Sequence, residues 1–307
     1  MKPGFNPAPP GFSPAPPGSS RYRDGRLGVL SLAAPASELG VYTDIIQTLH
    51  QFEKDRDVYA IVLTDVGCAP APVYDLSSQQ VACWRIDRSP KPLIALVDGP
   101  AATPALGLAL HGTHCVASET ASFRVPQIAT GDTPSAGLSL LLPRLPSNLG
   151  LFLALSGRPI GRAAAFCAGL ITHCIDAKYF PEIRDRLAQA DPVDEILDSL
   201  HQDPGPWPPD PDLATMEACF RGPSPEAIIA RLETVKGSGA RWAQALAHEI
   251  GGFSASALDA TYRMLTDDPP QDLRSALALE YRIASARQGH SAAVLDLPPD
   301  PSAPSIF

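Results

Sequence analysis

Long apolar runs are missing from this chain. No stretch approaches the roughly 18 uninterrupted apolar residues that a membrane-crossing helix needs, so no membrane span is expected. Basic excess is missing too: 24 Lys and Arg stand against 33 Asp and Glu, a formal charge of −9. That balance gives no drive toward phosphate backbones or anionic lipid, and direct nucleic-acid contact is not expected to dominate binding. An acidic subunit can still sit on protein at the rim of a nucleoprotein particle. The six cysteines (Cys68, Cys83, Cys115, Cys167, Cys174 and Cys219) include no C-x-x-C pair. They read as reduced thiols rather than as a disulfide frame or a zinc site. The first twenty residues hold one Lys and no Arg, so no transit peptide is legible, and a leader removed earlier stays open.

Proline is what the chain has in excess, with 34 in 307 residues. Gly4-Phe5-Asn6-Pro7-Ala8-Pro9-Pro10 is followed by Gly11-Phe12-Ser13-Pro14-Ala15-Pro16-Pro17, a tandem seven-residue repeat. Such a segment has too few N–H groups for helix or sheet and favours extended polyproline II. It reads either as a disordered tail or as an arm that lays Phe5, Phe12 and Tyr22 into grooves of a partner. The end, Leu297-Pro298-Pro299-Asp300-Pro301, is a second candidate contact arm. Between the two, hydrophobic residues at 45% and charged at 19% supply ample material for a buried core.

Arg26–Ser31 and Ala60–Thr64 read as strands joined by a helix over Tyr42–Lys54, whose Ile45, Ile46, Leu49 and Phe52 share one face. Strand–helix–strand units of this size build parallel sheets. Lys91–Gly99 holds a continuous apolar run bounded by Pro and Gly, suited to a strand covered on both faces. A turn, the apolar helix Leu106–Gly112, the short strand Cys115–Ser118 and a polar loop follow. Beyond Pro143 the pattern is helical, except for a strand at Ile171–Ile175. Expected helices are Gly150–Ser156, Gly161–Ala168, Pro181–Ala190 and Pro192–His201, then Leu213–Phe220, Pro225–Val235, Gly239–Ile250, Ser254–Leu265 and Asp272–Gln288. Trp242, Leu246 and Ile250 form a stripe that is more simply core than cofactor contact.

Several words in this order carry a family likeness: Lys91-Pro92-Leu93-Ile94-Ala95-Leu96, Gly107-Leu108 with His111-Gly112, Phe123-Arg124-Val125-Pro126, Leu142-Pro143-Arg144-Leu145 and Gly150–Gly157. Ala168–His173 and Glu280-Tyr281-Arg282 continue it. Together they resemble the crotonase superfamily of enoyl-CoA hydratases and isomerases, most closely its 3-hydroxyisobutyryl-CoA hydrolase branch. The resemblance implies an α/β fold, a ββα spiral core with a helical C-terminal region. The expected division is a Pro/Gly-rich extension at 1–24, the core at 25–190, the helical region at 191–290 and a Pro-rich tail at 291–307.

The same resemblance locates an active site and finds its chemistry altered. The family's first oxyanion-hole loop falls at Val66–Leu76, where paired glycines are replaced by Val73 and Tyr74. The second falls after Gly99, where consecutive glycines are replaced by Thr103, Pro104 and Ala105. Proline has no N–H to give, and a Cβ crowds a backbone that must approach a thioester oxygen closely. The hydrolase branch carries Glu and Asp where this chain has Gln127 and Ser135, and Gln cannot exchange a proton near neutral pH. Asp132 is the one carboxylate on this loop, either a relocated base or a turn former. Between Leu76 and Lys91 only a short bridge is expected, without the longer helical stretch that helps cover CoA in the hydrolases.

His111 and His114 lie three apart, but a metal pair needs a third ligand that no spacing supplies. His111 matches a histidine of the family's packing helix, and His173 and His290 have no triad partner nearby in sequence. No cofactor or metal is expected. The resulting expectation is a catalytically degenerate hydrolase-like structural subunit of a large mitochondrial assembly, the small ribosomal subunit or a respiratory complex. Its Pro-rich arms would meet other protein subunits. Two alternatives stand beside it: an active acyl-CoA thioesterase or hydratase-type enzyme using Asp132 or Ser135, and a non-catalytic acyl-CoA binder.

Overall fold

A computed structural model describes residues 21–33, 40–68, 76–207, 213–287, 289 and 294–299. Strands β1 (Arg21–Asp24) and β2 (Leu27–Ser31) pair antiparallel. Helix α1 (Val41–Lys54) leads to β3 (Ala60–Thr64), and α2 (Leu76–Asp87) to β4 (Leu93–Val97). The chain continues through β5 (Pro100–Ala102), α3 (Ala105–Leu110), β6 (His114–Ala117), β7 (Ser122–Arg124), α4 (Leu138–Leu141), α5 (Leu149–Ser156) and β8 (Ile160–Gly161). Then come α6 (Arg162–Cys167), β9 (His173–Cys174), α7 (Phe180–Ala188) and α8 (Val193–Leu200). The remainder is helical: α9 (Leu213–Phe220), α10 (Pro225–Thr234), α11 (Ala240–Gly251), α12 (Ala255–Thr266) and α13 (Leu273–Arg287).

The main sheet runs β1-β2-β3-β4-β6-β9, and a small one runs β5-β7-β8. Apart from β1, the main sheet is parallel. Its central strands β3 and β4 are almost wholly apolar because both faces are covered. Leu30, Ile61, Leu63, Leu93, Ala95 and Val97 pack with α1 and α3. Their alternates Leu27, Val29, Ala60, Val62, Ile94 and Leu96 pack with Ile183, Leu187, Ile196 and Leu197 of α7 and α8. A two-residue side-chain period serving two cores is what a run such as Leu93–Val97 encodes. Glycine at position 28 lets the Phe52 ring lie flat on β2, since a Cβ there would come within 2.8 Å of it. Lys91 then fastens the end of α1: its Nζ donates to the carbonyls of Phe52 in the last turn, Asp55 at the C-cap and Val58 on the loop beyond.

The C-terminal helices close over α5. Phe152 meets Phe220 edge-on at 5.7 Å and stacks with Trp242 at 6.3 Å, and Leu246 and Ile250 are fully buried. The stripe expected to be core is core. No single described helix is long and apolar enough to cross a membrane.

Three expectations change. The span between Leu76 and Lys91 is not a short bridge but the three-turn helix α2, which packs on α1, α3 and α13. Its buried face includes Gln79 and Gln80 beside Ala82, Cys83, Trp84 and Ile86, so it has no apolar stripe to read. Tyr22 is not a free arm residue: Arg21–Asp24 is an edge strand, and the Tyr22 hydroxyl accepts from Arg184. The strand expected over Ile171–Ile175 narrows to His173–Cys174, with single hydrogen bonds from Thr172 N to Cys115 O and Ile175 N to Ala117 O flanking it.

Candidate active site

In the small sheet β5 and β7 run parallel, with Ala101 opposite Phe123 and Ala102 opposite Arg124. Both chains leave that pairing at the same end, which brings the head of α3 beside the turn Pro126–Thr130. Pro104 is the N-cap of α3, and Thr103, Pro104 and Ala105 are all buried. The Thr103 hydroxyl donates to Gln127 Oε1 at 2.7 Å. At the mouth of this turn, then, Pro104 offers no amide proton, and Gln127 presents an amide already bonded to its neighbour.

Ser135 lies on the loop that returns over the turn, and its Oγ accepts from Gln79 Nε2 of α2 at 3.2 Å. A hydroxyl receiving an amide hydrogen gains no basic partner from it. Asp132 points away: it is exposed, accepts from Thr130 Oγ1 at 3.0 Å and pairs loosely with Arg287 Nε at 3.9 Å. Of the residues that sequence reasoning singled out, Thr103 and Gln127 meet directly, with Pro104 and Ala105 following Thr103 at the head of α3, while the contact of Ser135 is with Gln79. Such reasoning had no means of finding Gln79, whose partner is 56 residues away. Val73, Tyr74 and His290 lie outside the described residues, as do Phe5 and Phe12.

The loop is held from below by buried polar groups. Ala136 and Gly137 both have positive φ, +63° and +77°. This is a left-handed turn that glycine adopts freely and alanine only under constraint. A Cβ on Gly137 would strike His111 Nε2 at 2.2 Å. His111 is buried, burial lowers its pKa, and its Nε2 lies 2.9 Å from Ala136 O. A neutral ring facing a carbonyl there must carry its hydrogen on Nε2. Glu280 of α13, 1% exposed, receives Gly137 N at 2.8 Å, Ser139 N at 2.9 Å and Gln80 Nε2 at 3.2 Å. Its carboxylate caps the short α4, and burial pushes its pKa up. The family word Glu-Tyr-Arg flagged this residue, but not what it holds.

A concave region of about 510 Å³ opens at the carboxyl ends of β2, β3 and β4, lined among others by Ser31, Thr64, Asp65, Asp98 and Arg184. The Asp98 carboxyl is held below its usual range chiefly by the Thr120 and Ser118 hydroxyls. Parallel sheets commonly receive ligands at this end. Thr103, Gln127 and Ser135 do not line it. Among the described residues no group of three or more His, Cys, Asp or Glu side chains is disposed to hold a metal ion.

Three histidines outside this region form their own cluster. His114 on β6 and His173 on β9 lie 5.8 Å apart by ring centroid, and His173 and His201 5.6 Å. His114 pairs with Asp194 at 3.0 Å and His173 with Asp198 at 3.2 Å, both acids on α8. The pairing tacks α8 to the sheet edge.

A parallel sheet covered on both faces, a small three-stranded sheet feeding α3, and a helical cap over α5 define a crotonase-type protein. The enoyl-CoA hydratase/isomerase family model matches residues 35–293, and the chain belongs to that family. It is similar to the mitochondrial 3-hydroxyisobutyryl-CoA hydrolase of Xenopus tropicalis, 30% identical over 296 residues, covering 85% of this chain and 76% of that protein. The human protein of the same name is 27% identical over 302 residues, covering 87% and 78%. Among solved structures, a carnitinyl-CoA dehydratase from Mycobacterium thermoresistibile superposes with a TM-score of 0.74 at 24% identity, covering 87% of this chain and 84% of that one. An enoyl-CoA hydratase from Rhodobacter sphaeroides 2.4.1 gives the same TM-score and identity over 88% and 85%. These two carry the fold alone.

Proposed function

We propose that this chain is a hydrolase-like protein that has given up thioester chemistry and is kept for its surfaces, as a structural subunit of a large mitochondrial assembly. The observation that carries the reading is Pro104 at the head of α3. The carbonyl oxygen of a thioester would have to be polarised there by an amide proton, and loss of one such donor typically costs about 10²–10³ in rate. Gln127, tied to Thr103, and Ser135, receiving Gln79, supply no proton carrier in compensation. General acid–base groups are worth about 10²–10⁴ each, though losses within one site are not additive.

The scaffold supports the same reading. Burial on both sheet faces, the Glu280 clamp and the cap over α5 are intact, so the fold is kept while the reacting groups differ. The relatives named as mitochondrial support a mitochondrial site, and the acidic balance favours protein over nucleic acid as the main contact. The host would be the small ribosomal subunit or a respiratory complex, met through the Pro-rich ends.

The test is direct. Purified protein is incubated with 3-hydroxyisobutyryl-CoA and other acyl-CoAs, and native extracts are sized for the chain. No turnover, with co-migration in a megadalton particle, is the expected result. Turnover abolished by Asp132→Asn would overturn the proposal.

A further inference from the structure

Trp84 is read by a proline. Its indole Nε1 donates to Pro298 O at 3.1 Å, and Arg274 Nη2 donates to the same oxygen at 2.9 Å. The ring is flanked by two guanidinium groups, Arg88 at 4.8 Å and Arg274 at 4.7 Å from its centroid. Leu297 is buried next to this contact. Indole N–H to a prolyl carbonyl, with an aromatic edge against the pyrrolidine, is how grooves recognise polyproline II segments. The described segment 294–299 is therefore seated on the protein as a resident ligand.

The site is larger than its resident. Beside Pro298 and Pro299 a cleft of about 280 Å³ remains, walled by Trp84 and Pro90 and edged by His50, Lys54 and Arg85. Such a cleft suits a ligand with many carbonyl acceptors, few N–H donors and pyrrolidine faces, and a proline-rich segment has that composition.

We propose that the second occupant is the chain's own tandem repeat, Gly4–Pro17, so that both proline-rich ends dock on the Trp84 face. The reach allows it. The described chain begins at Arg21, which pairs with Asp44 on α1, and the cleft opens beside His50 and Lys54 of the same helix. Asp44 to Lys54 spans about 15 Å at roughly 1.5 Å per helical residue. The four residues from Pro17 to Arg21 span about 13 Å when extended, and the repeat adds several times that. Pro9-Pro10 and Pro16-Pro17 repeat the Pro-Pro pair already seated at Pro298-Pro299. Docking here parks the arm on its own surface, where a partner subunit must compete for it.

The test uses the full chain and a fluorescent peptide of residues 4–17. One protein is unaltered, and one carries Pro9→Ala, Pro10→Ala, Pro16→Ala and Pro17→Ala, which weaken its own arm. The expected result is saturable binding at least fivefold tighter to the altered chain. Adding His50→Ala and Lys54→Ala to it, both at exposed positions, should lower that affinity at least fivefold. The indole N–H resonance of Trp84, assigned with Trp84→Phe, should shift as the peptide is added. No saturable binding, equal affinity for all three proteins, or an unmoved Trp84 resonance would each overturn the proposal.

Discussion

Thr103 and Gln127 face one another where two parallel strands end, hydroxyl to amide oxygen at 2.7 Å. A carboxylate at position 127 would accept the same hydrogen, so Gln127→Glu is expected to fold and to leave the turn in place. Alone it should add no thioesterase activity, because Pro104 still withholds a donor. Combined with Pro104→Gly and Ser135→Asp, hydrolysis of 3-hydroxyisobutyryl-CoA should rise at least tenfold over the unaltered protein, measured as free thiol released. A single variant matching the triple one would show that the missing amide is not limiting.

Glu280 holds three donors at once, two of them backbone. Glu280→Ala leaves those hydrogens buried and unmet and opens a cavity, a loss of about 3–5 kcal/mol, read by urea denaturation. Burial raises the carboxyl above the ordinary glutamate value of 4.5. A raised acid binds its proton more tightly in the native state. Its contribution is therefore fully present below about pH 4.5 and is lost as pH rises through the native value. Across that window the advantage of the unaltered protein over Glu280→Gln should shrink.

Lys91 gives its ammonium hydrogens to three carbonyls at and just beyond the end of α1. Lys91→Met keeps the stem and removes the donors, and about 2–3 kcal/mol of stability should go with them. Hydrogen exchange should show the last turn of α1 opening first. Exchange unchanged in that turn would mean that water replaces the ammonium without cost.

His173 has its pKa lowered, mainly by burial, with the rings of His114 and His201 adding to the effect and Asp198 opposing it. Asp194 completes the set of charges at this edge through His114. A lowered base favours the neutral native ring. The stability it supplies is present above the ordinary histidine value of 6.5 and is lost as pH falls through the native one. Urea midpoints should drop between about pH 7.5 and about pH 5, and less so in His173→Gln. An identical drop in both proteins would assign the acid sensitivity to other groups.

Much of this was legible in the chain. Leu93–Val97 and Ala60–Thr64 announce doubly covered strands because every residue in them is apolar or small, and α1 announces itself by Ile45, Leu49 and Phe52. Helix α2 was missed for the opposite reason. Gln79 and Gln80 are buried by partners supplied from distant segments, and pattern reading assigns polar residues to water. Thr103, Gln127 and Ser135 were singled out through family words. The contacts that now occupy them depend on strand register and on α2, which spacing does not encode. The histidine pairs of α8 were invisible because His114 and His173 become neighbours only when β6 and β9 align.

The Glu280 clamp joins α13 to a loop 143 positions earlier. During synthesis Gly137 and Ser139 emerge long before the carboxylate that receives them, and their N–H groups must stay hydrated until α13 has emerged. Final locking of the central loop thus waits for α13. Shortened products ending before α13 would expose that loop to quality-control proteases, however complete their sheet.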